Sequence, residues 1–342
     1  MRRLLSEARL VTLTGVGGVG KTRLALEVAQ ASAQAFPDGV WFVDLAAVED
    51  PARVAHTVAM GVDLRYRQDT NARAALAEFL APKRLLLVLD NCEHLVDACA
   101  DLLRTVLAAA PGARVLATSR EPLAIGEERV WPVAPLTVPG ENGSHVTASV
   151  RSFEAMALFE ERAAAVSHGF VIDEDNEEAI AQLCRKLDGL PLAIELAAVR
   201  MRVLSVDQIL ARLDDPYMLL TRGNRQVSPR HSTLRAAVDW SYSLCSEQEQ
   251  VLWARLSVFR GDFDLEAAEA VVSGDGLGLK EIFDGIETLL DQSILIRQPD
   301  SPDGRGAARY RMLETIRQYG QERLKACDGA PVVLRRRHRD YF

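Results

Sequence analysis

Gly15, Gly17, Gly18 and Gly20 crowd into one short stretch, and Lys21 and Thr22 follow at once. The run GVGGVGKTR, with Val19 inside it and Arg23 just beyond, has the spacing G-x-x-x-x-G-K-T. Glycines let successive backbone N–H groups turn toward one centre, which suits an anion. A lysine adds a mobile positive charge, and a hydroxyl beside it can hold Mg²⁺. The residue types together suit a nucleoside triphosphate, with Gly15, Gly17, Gly18, Val19, Gly20, Lys21, Thr22 and Arg23 as its binding loop. Further along stand an aspartate at the end of an apolar run, Asp90, then Glu93 and Arg120.

The elements that must position these residues are also legible. Leu10 to Thr14 reads as a short buried strand, and the segment from Lys21 carries Leu24 and Val28 at helical spacing. A loop between strand and helix adds the unpaired N–H groups of the helix start to the glycine amides. Val40 to Leu45 reads as a second strand, and Pro51 to Leu64 and Asn71 to Leu80 have helical spacing. Leu85 to Asp90 is apolar up to its last residue, which marks a strand buried on both faces. Its carboxylate then sits at the C-terminal end, where ligands bind in open α/β sheets. Asp90 reads as the metal-side acid with Thr22; capping the next helix is the alternative. Glu93 to Ala110 reads as one long helix and Arg114 to Thr118 as a fourth strand. Arg120 follows that strand, placed to touch a γ-phosphate or to make a surface salt bridge. Arg129 to Val133 is a fifth strand, whose Pro132 points to a sheet edge.

The chain has 342 residues, 48% of them hydrophobic, enough for two or three domains. Its net charge of −8 and pI of about 5.4 do not describe a polycation that binds nucleic acid throughout. A short basic block, Arg335 to Arg339, reads as a solvated helix end in preference to a nucleic-acid contact. The 5 cysteines are scattered and form no C-x-x-C pair, which suits a reducing cytoplasm better than a disulfide framework. The N-terminus lacks an apolar core segment and no apolar run is long enough to span a bilayer, so neither secretion nor membrane insertion is expected.

Composition shifts to loop over Pro139 to Ser149, and beyond it helical spacing dominates. Val150–Val166, Asp173–Leu187, Pro191–Met201 and Ser205–Leu213 read as a bundle of short helices. After a polar loop at Thr221 to Pro229, helices are expected over Ser232–Leu244, Ser246–Leu256, Asp264–Val272 and Gly278–Leu290. Two strands, Ser293–Arg297 and Ala308–Met312, and a helix over Glu314–Cys327 complete the pattern of a winged helix. The expected domains are therefore 1–139, 150–220 and 230–325, with a basic tail at 326–342. No repeat of solenoid length is visible.

Several segments in order, TGVGGVGKTRLALEVA, LLLVLDNCEHL, RVLATSRE, GLPLAIELAA, LSVFRGDFDLEAAEAV and YRMLETIRQYGQERL, resemble one family. It is the STAND or NB-ARC class of P-loop ATPases, in the form found as the ATP-binding module of large bacterial (LuxR- or AfsR-like) transcriptional regulators. The resemblance runs from Leu10 to about Leu324. It implies an α/β fold with a parallel sheet in the order 2-3-4-1-5, then a helical bundle and a winged helix. It implies ATP or ADP with Mg²⁺ as ligand, Lys21 on the phosphates, Thr22 and Asp90 at the metal, Arg120 sensing the γ-phosphate and Pro191 packing on the adenine. In such proteins ADP holds the modules together, and ATP opens them to a protein partner or to self-assembly.

Three departures follow. Many members carry a second acid after the metal aspartate, where this chain has Asn91, an amide that cannot act as a base; Glu93 is the substitute nearby. Leu313 stands where many relatives have a histidine for the ADP β-phosphate. Only a short segment precedes the first strand here, where relatives have a wall for the adenine. The reading is a nucleotide-dependent regulatory switch, probed as a slow ATPase or one without turnover. The alternatives are a DNA-binding regulator acting through the winged helix, or a nucleotide-binding remnant of a longer regulator.

Overall fold

The computed structural model describes residues 2–66, 71–140, 153–213, 235, 238–239, 241–274, 276–298, 307–326 and 330–342. The expected loops at 221–229 and 299–306 lie outside them, as does most of the one at 139–149. The chain divides into two compact units, Met1–Ala134 and Pro135–Phe342.

The first unit is built on five parallel strands: β1 (Leu10–Thr14), β2 (Val40–Asp44), β3 (Leu86–Asp90), β4 (Arg114–Ser119) and β5 (Glu128–Pro132). They lie in the order β2-β3-β4-β1-β5, so the strand before Arg120 separates the glycine-loop strand from the Asp90 strand. Strand alternation splits the core in two. Val11, Leu13, Leu86, Val88 and Leu116 face α1 (Arg2–Glu7) and α2 (Lys21–Ser32). Leu10, Leu87, Leu89, Val115 and Ala117 join the cluster formed with α3 (Val54–Gly61), α4 (Ala72–Leu80) and α5 (Val96–Ala109). This three-layer arrangement is why β3 is apolar throughout: both its faces are covered. Strand β5 lies at the edge, as Pro132 requires.

Two features of this unit go beyond the expectations or differ from them. The segment Arg2–Glu7 is helical, with Leu5 buried against the core. The helix expected from Glu93 begins only at Val96: Cys92–His94 form a separate 3-10 turn, entered through Asn91 at φ 63.

In the second unit α6 (Glu154–Val166), α7 (Glu177–Lys186), α8 (Pro191–Ala198) and α9 (Val206–Leu213) form the helical bundle. Helix α7 starts later than expected, because Asp173 Oδ1 accepts from the N–H groups of Asp175 and Asn176 in a turn of its own. Helix α8 continues only as a 3-10 turn over Val199–Arg202. Gly189, at φ 62, lets its carbonyl accept from Leu136 N; a Cβ there would collide with the Leu136 carbonyl.

The winged helix follows: α10 (Glu247–Leu256), α11 (Leu265–Val272) and α12 (Leu279–Asp291), with a sheet in the order β6-β8-β7. Its strands are β6 (Phe263–Asp264), β7 (Leu295–Arg297) and β8 (Arg309–Met312), all antiparallel. Ser246 caps α10 in a reciprocal box with Glu249. The two-residue β6 is too short to show a period in the sequence. Helix α13 (Glu314–Lys325) starts where expected and ends at Lys325, short of the expected Cys327, and α14 (Ala330–Tyr341) carries the basic block. Arg335, Arg336 and Arg339 are exposed on it, while Arg337 reaches the Ser273 carbonyl at 2.5 Å. Of the helix expected over Ser232–Leu244, the described residues are helical up to Ser243.

Candidate functional site

The C-terminal ends of β1, β3 and β4 bring most of the chemically capable residues together. After β1 the chain turns through Gly15, Gly18 and Gly20 at φ 151, 75 and 95, left-handed conformations that favour glycine. At Gly15 the space is also filled: a Cβ would meet the Val133 carbonyl oxygen at 3.1 Å and Val19 Cγ1 at 3.2 Å. The loop is therefore held from β5's side, where Val133 N donates to Thr14 O at 2.7 Å. Val19 is buried, 4% exposed, with its side chain packed toward Gly15. Arg23, the third residue of α2, is exposed.

Helix α2 starts at Lys21 with Gly20 as its cap residue, no capping side chain and no acid in its first turn. Its leading N–H groups and the positive end of its dipole are thus compatible with an anion. Lys21 Nζ donates to the carbonyls of Gly15 at 2.8 Å and Val16 at 3.1 Å, folding the ammonium back over the loop. Burial pulls the Lys21 pKa below its ordinary value, with Arg120 acting in the same direction and the carboxylates of Glu93 and Asp90 opposing it. These four groups therefore share one electrostatic neighbourhood.

Asp90 is 1% exposed and is the hub. Thr22 Oγ1 lies 2.8 and 3.0 Å from its two carboxylate oxygens. Thr118 Oγ1, on β4, donates to Oδ1 at 2.5 Å, and Asn91 Nδ2 donates to Oδ2 at 3.0 Å. Asp90 does not cap the following turn; that position is held by Asn91, which makes no side-chain cap bond. The turn itself is pinned where His94 Nε2 meets the Val48 carbonyl at 2.8 Å.

Arg120 and Glu93 pair with each other, Nε to Oε1 at 3.2 Å, the arginine half-exposed and the glutamate mostly buried. Glu93 Oε2 is buried and has no hydrogen-bond partner, an arrangement that costs free energy until a donor arrives. Pro191 belongs to the second unit, where it occupies the first turn of α8.

Residues that the motif does not contain complete the cluster. Thr118 and Asp44 carry no sequence signal of their own, because their roles depend on strand register between β2, β3 and β4. Among the described residues no group of three His, Cys, Asp or Glu side chains could hold a metal unaided. A hard cation here would take one carboxylate, one hydroxyl, and oxygens from phosphate and water, the pattern magnesium favours. The residues fit such a group: a buried carboxylate hydrogen-bonded to the Thr22 hydroxyl, beside the glycine loop and its lysine.

Two family models match this chain: "AAA domain" over residues 2–121 and "Winged helix-turn-helix domain" over residues 245–325. A Mycobacterium tuberculosis (strain H37Rv) protein provisionally named an HTH-type transcriptional regulator is 43% identical over the whole chain, which spans 36% of that relative's length. An uncharacterized protein of the same strain is 38% identical over 98% of this chain and 81% of its own length. Regulatory protein AfsR of Streptomyces coelicolor is 28% identical, covering 93% of this chain and 30% of its own. Among solved structures, a signal transduction ATPase with numerous domains (STAND) protein with a tetratricopeptide repeat sensor, from Pyrococcus horikoshii, superposes with a TM-score of 0.57. That match has 16% identity and covers 99% of this chain and 44% of the other. Sheet order, glycine loop, winged helix and these relatives agree: the chain belongs to the family of P-loop NTPase modules carried by AfsR-like regulators.

Proposed function

We propose that this module binds ATP or ADP with Mg²⁺ and acts as a nucleotide-dependent switch of the STAND type, in the service of transcriptional regulation. The observation that carries the reading is the contact between Thr22 and Asp90. It sets a hydroxyl, whose proton is directed to a buried carboxylate and whose lone pairs remain for a cation, beside the phosphate-loop lysine. In this role Lys21 leaves the Gly15 and Val16 carbonyls for the β- and γ-phosphates, and the amides of Gly15 to Thr22 bind the phosphate chain. Arg120 exchanges Glu93 for the γ-phosphate, which frees Glu93 to orient a water. Asn91 supplies no base, so turnover is slow or absent. The proposed modules are 1–139, 150–220 and 230–325, with a tail at 326–342; Pro191, at the start of α8, packs on the adenine and couples the bundle to nucleotide state.

The winged helix is read as a moving part and not as a DNA reader. On α12 the exposed side chains include Glu281, Asp284 and Glu287 against a lone Lys280 nearby, a face that repels phosphate. Arg335, Arg336 and Arg339 on α14 are what would speak for DNA, and a salt-dependent shift on duplex DNA would favour that alternative. A protein partner or self-assembly in the ATP state is the expected output.

The test is to purify the chain without added nucleotide, denature it and chromatograph the supernatant. Stoichiometric ADP supports a switch that rests in its ADP form. No nucleotide, together with no binding of added ADP or ATP, overturns the reading.

A further inference from the structure

Asp44 ends β2 and is the register partner of Asp90 on β3. Its Oδ1 accepts from Asn91 Nδ2 at 2.9 Å, and the same nitrogen donates to Asp90 Oδ2 at 3.0 Å. One amide group thus uses its two protons to join two carboxylates on neighbouring strands. Asp44 is itself tied down, since its Oδ1 also accepts from Ala46 N at 2.9 Å. On the other flank Asn91 N donates to Thr118 Oγ1 at 3.0 Å, and that hydroxyl passes its own proton to Asp90 Oδ1 at 2.5 Å. Asn91 can make both sets of bonds because it sits in the left-handed region, which asparagine tolerates better than most residues.

We propose that Asp44, Asn91 and Thr118 are positioning residues that fix the Asp90 carboxylate for a divalent cation, so that cation affinity is set from β2 and β4 as well as from the phosphate loop. The inference rests on the nucleotide reading above. Asn91 then has a purpose in place of an acid. An acid at this position would set a third carboxylate beside Asp44 and Asp90, and mutual repulsion would disfavour their charged forms. The amide instead donates to both, and orders the carboxylate that faces Thr22. Partners that orient a metal ligand in this way typically change metal affinity by about tenfold or more when removed.

The experiment measures ADP affinity by titration calorimetry in EDTA and in excess MgCl₂, and takes the ratio of the two dissociation constants. In Asp44→Ala and in Thr118→Ala this magnesium ratio falls about tenfold, while affinity in EDTA stays within about twofold. Asp44→Asn and Thr118→Ser keep the wild-type ratio, because an amide oxygen still accepts both bonds and a serine hydroxyl still relays its proton. A second readout needs no nucleotide: the Asn91 side-chain amide signals in a ¹H–¹⁵N spectrum shift in Asp44→Ala and stay in place in Asp44→Asn. The inference is overturned when Asp44→Ala and Thr118→Ala keep the wild-type ratio, or when the conservative variants lose as much as the alanines. A wild type that binds ADP in neither buffer removes the nucleotide reading, and this inference with it; a wild type that binds while the variants behave alike removes this inference alone.

Discussion

Asp90 in the first unit and Asp239 in the second each anchor a cluster of hydrogen bonds, and the two clusters are assembled from different materials. Around Asp90 the donors described above are two hydroxyls and an amide, Thr22, Thr118 and Asn91. Around Asp239 they are a phenol and guanidinium groups: Tyr319 Oη at 2.6 Å, Arg323 Nη2 at 2.7 Å and Arg235 Nε at 3.5 Å. Arg323 also lies over the rings of Tyr319 and Tyr242, whose neighbour is Trp253. The second cluster neutralises its carboxylate within the protein and stitches a helix near residue 239 to α13. The first holds its carboxylate in place with neutral groups at the start of α2, beside the glycine loop. A stabilising network and a ligand site differ here in what surrounds the acid more than in how deeply it is buried.

That contrast is open to a double dissociation. Lys21→Ala should lower ADP and ATP affinity by on the order of 100-fold, because a charge-assisted contact to phosphate disappears. The melting temperature of the ligand-free protein should barely move, since Lys21 is held there against a desolvation penalty. Asp239→Ala should do the reverse. It leaves the buried Tyr319 hydroxyl without its acceptor and should cost about 2 kcal/mol, less whatever solvent screening of the half-exposed arginines removes, with nucleotide affinity unchanged. Thermal unfolding and calorimetric titration of both variants read the two effects side by side.

The second unit also carries a pH signature. Burial pushes the thiols of Cys184 and Cys245 up to about 12, and it raises Tyr319 as well, helped by Asp239. These groups stay protonated in the folded chain while the unfolded thiols ionise from about pH 9, so stability falls as pH rises above that value. At pH 10 each thiol should account for about 1 kcal/mol. Lys21 acts with the opposite sign, because its folded pKa is lowered and stability gains as pH climbs toward 10.5. Urea unfolding at rising pH should therefore show a shallower loss in a Cys184→Ala, Cys245→Ala double variant than in the wild type. The smallest effect expected is at Gly20. A Cβ there meets nothing within 4 Å, so Gly20→Ala costs only the left-handed backbone, about 1 kcal/mol, read as a lowered urea midpoint.

Legibility followed range in the sequence. The loop from Gly15 to Thr22 is local, and the strand ending at Asp90 is an unbroken apolar run, so the sequence alone marks the C-terminal ends of β1 and β3. The placement of Arg120's strand between the other two came from the family resemblance and matches the sheet order. Thr118 and Asp44 carry no signal in the sequence, because a threonine inside RVLATS and an aspartate ending VWFVD are ordinary residues until register brings them beside Asn91. The Asp239 cluster was equally silent: its members lie some eighty positions apart. Helix boundaries differ from the expectation where a local turn comes first: Asp173 Oδ1 accepts backbone N–H groups ahead of α7, and Asn91 at φ 63 leads into the separate 3-10 turn ahead of α5.

The central claim is that the loop from Gly15 to Gly20, with Lys21, Thr22 and Asp90, holds a magnesium-bound nucleotide. Titrating nucleotide-free protein with ADP, first in EDTA and then with magnesium, tests it most directly. The account predicts saturable binding at one site per chain, tightened by the metal. An absence of saturable binding up to millimolar ADP in both buffers would contradict it.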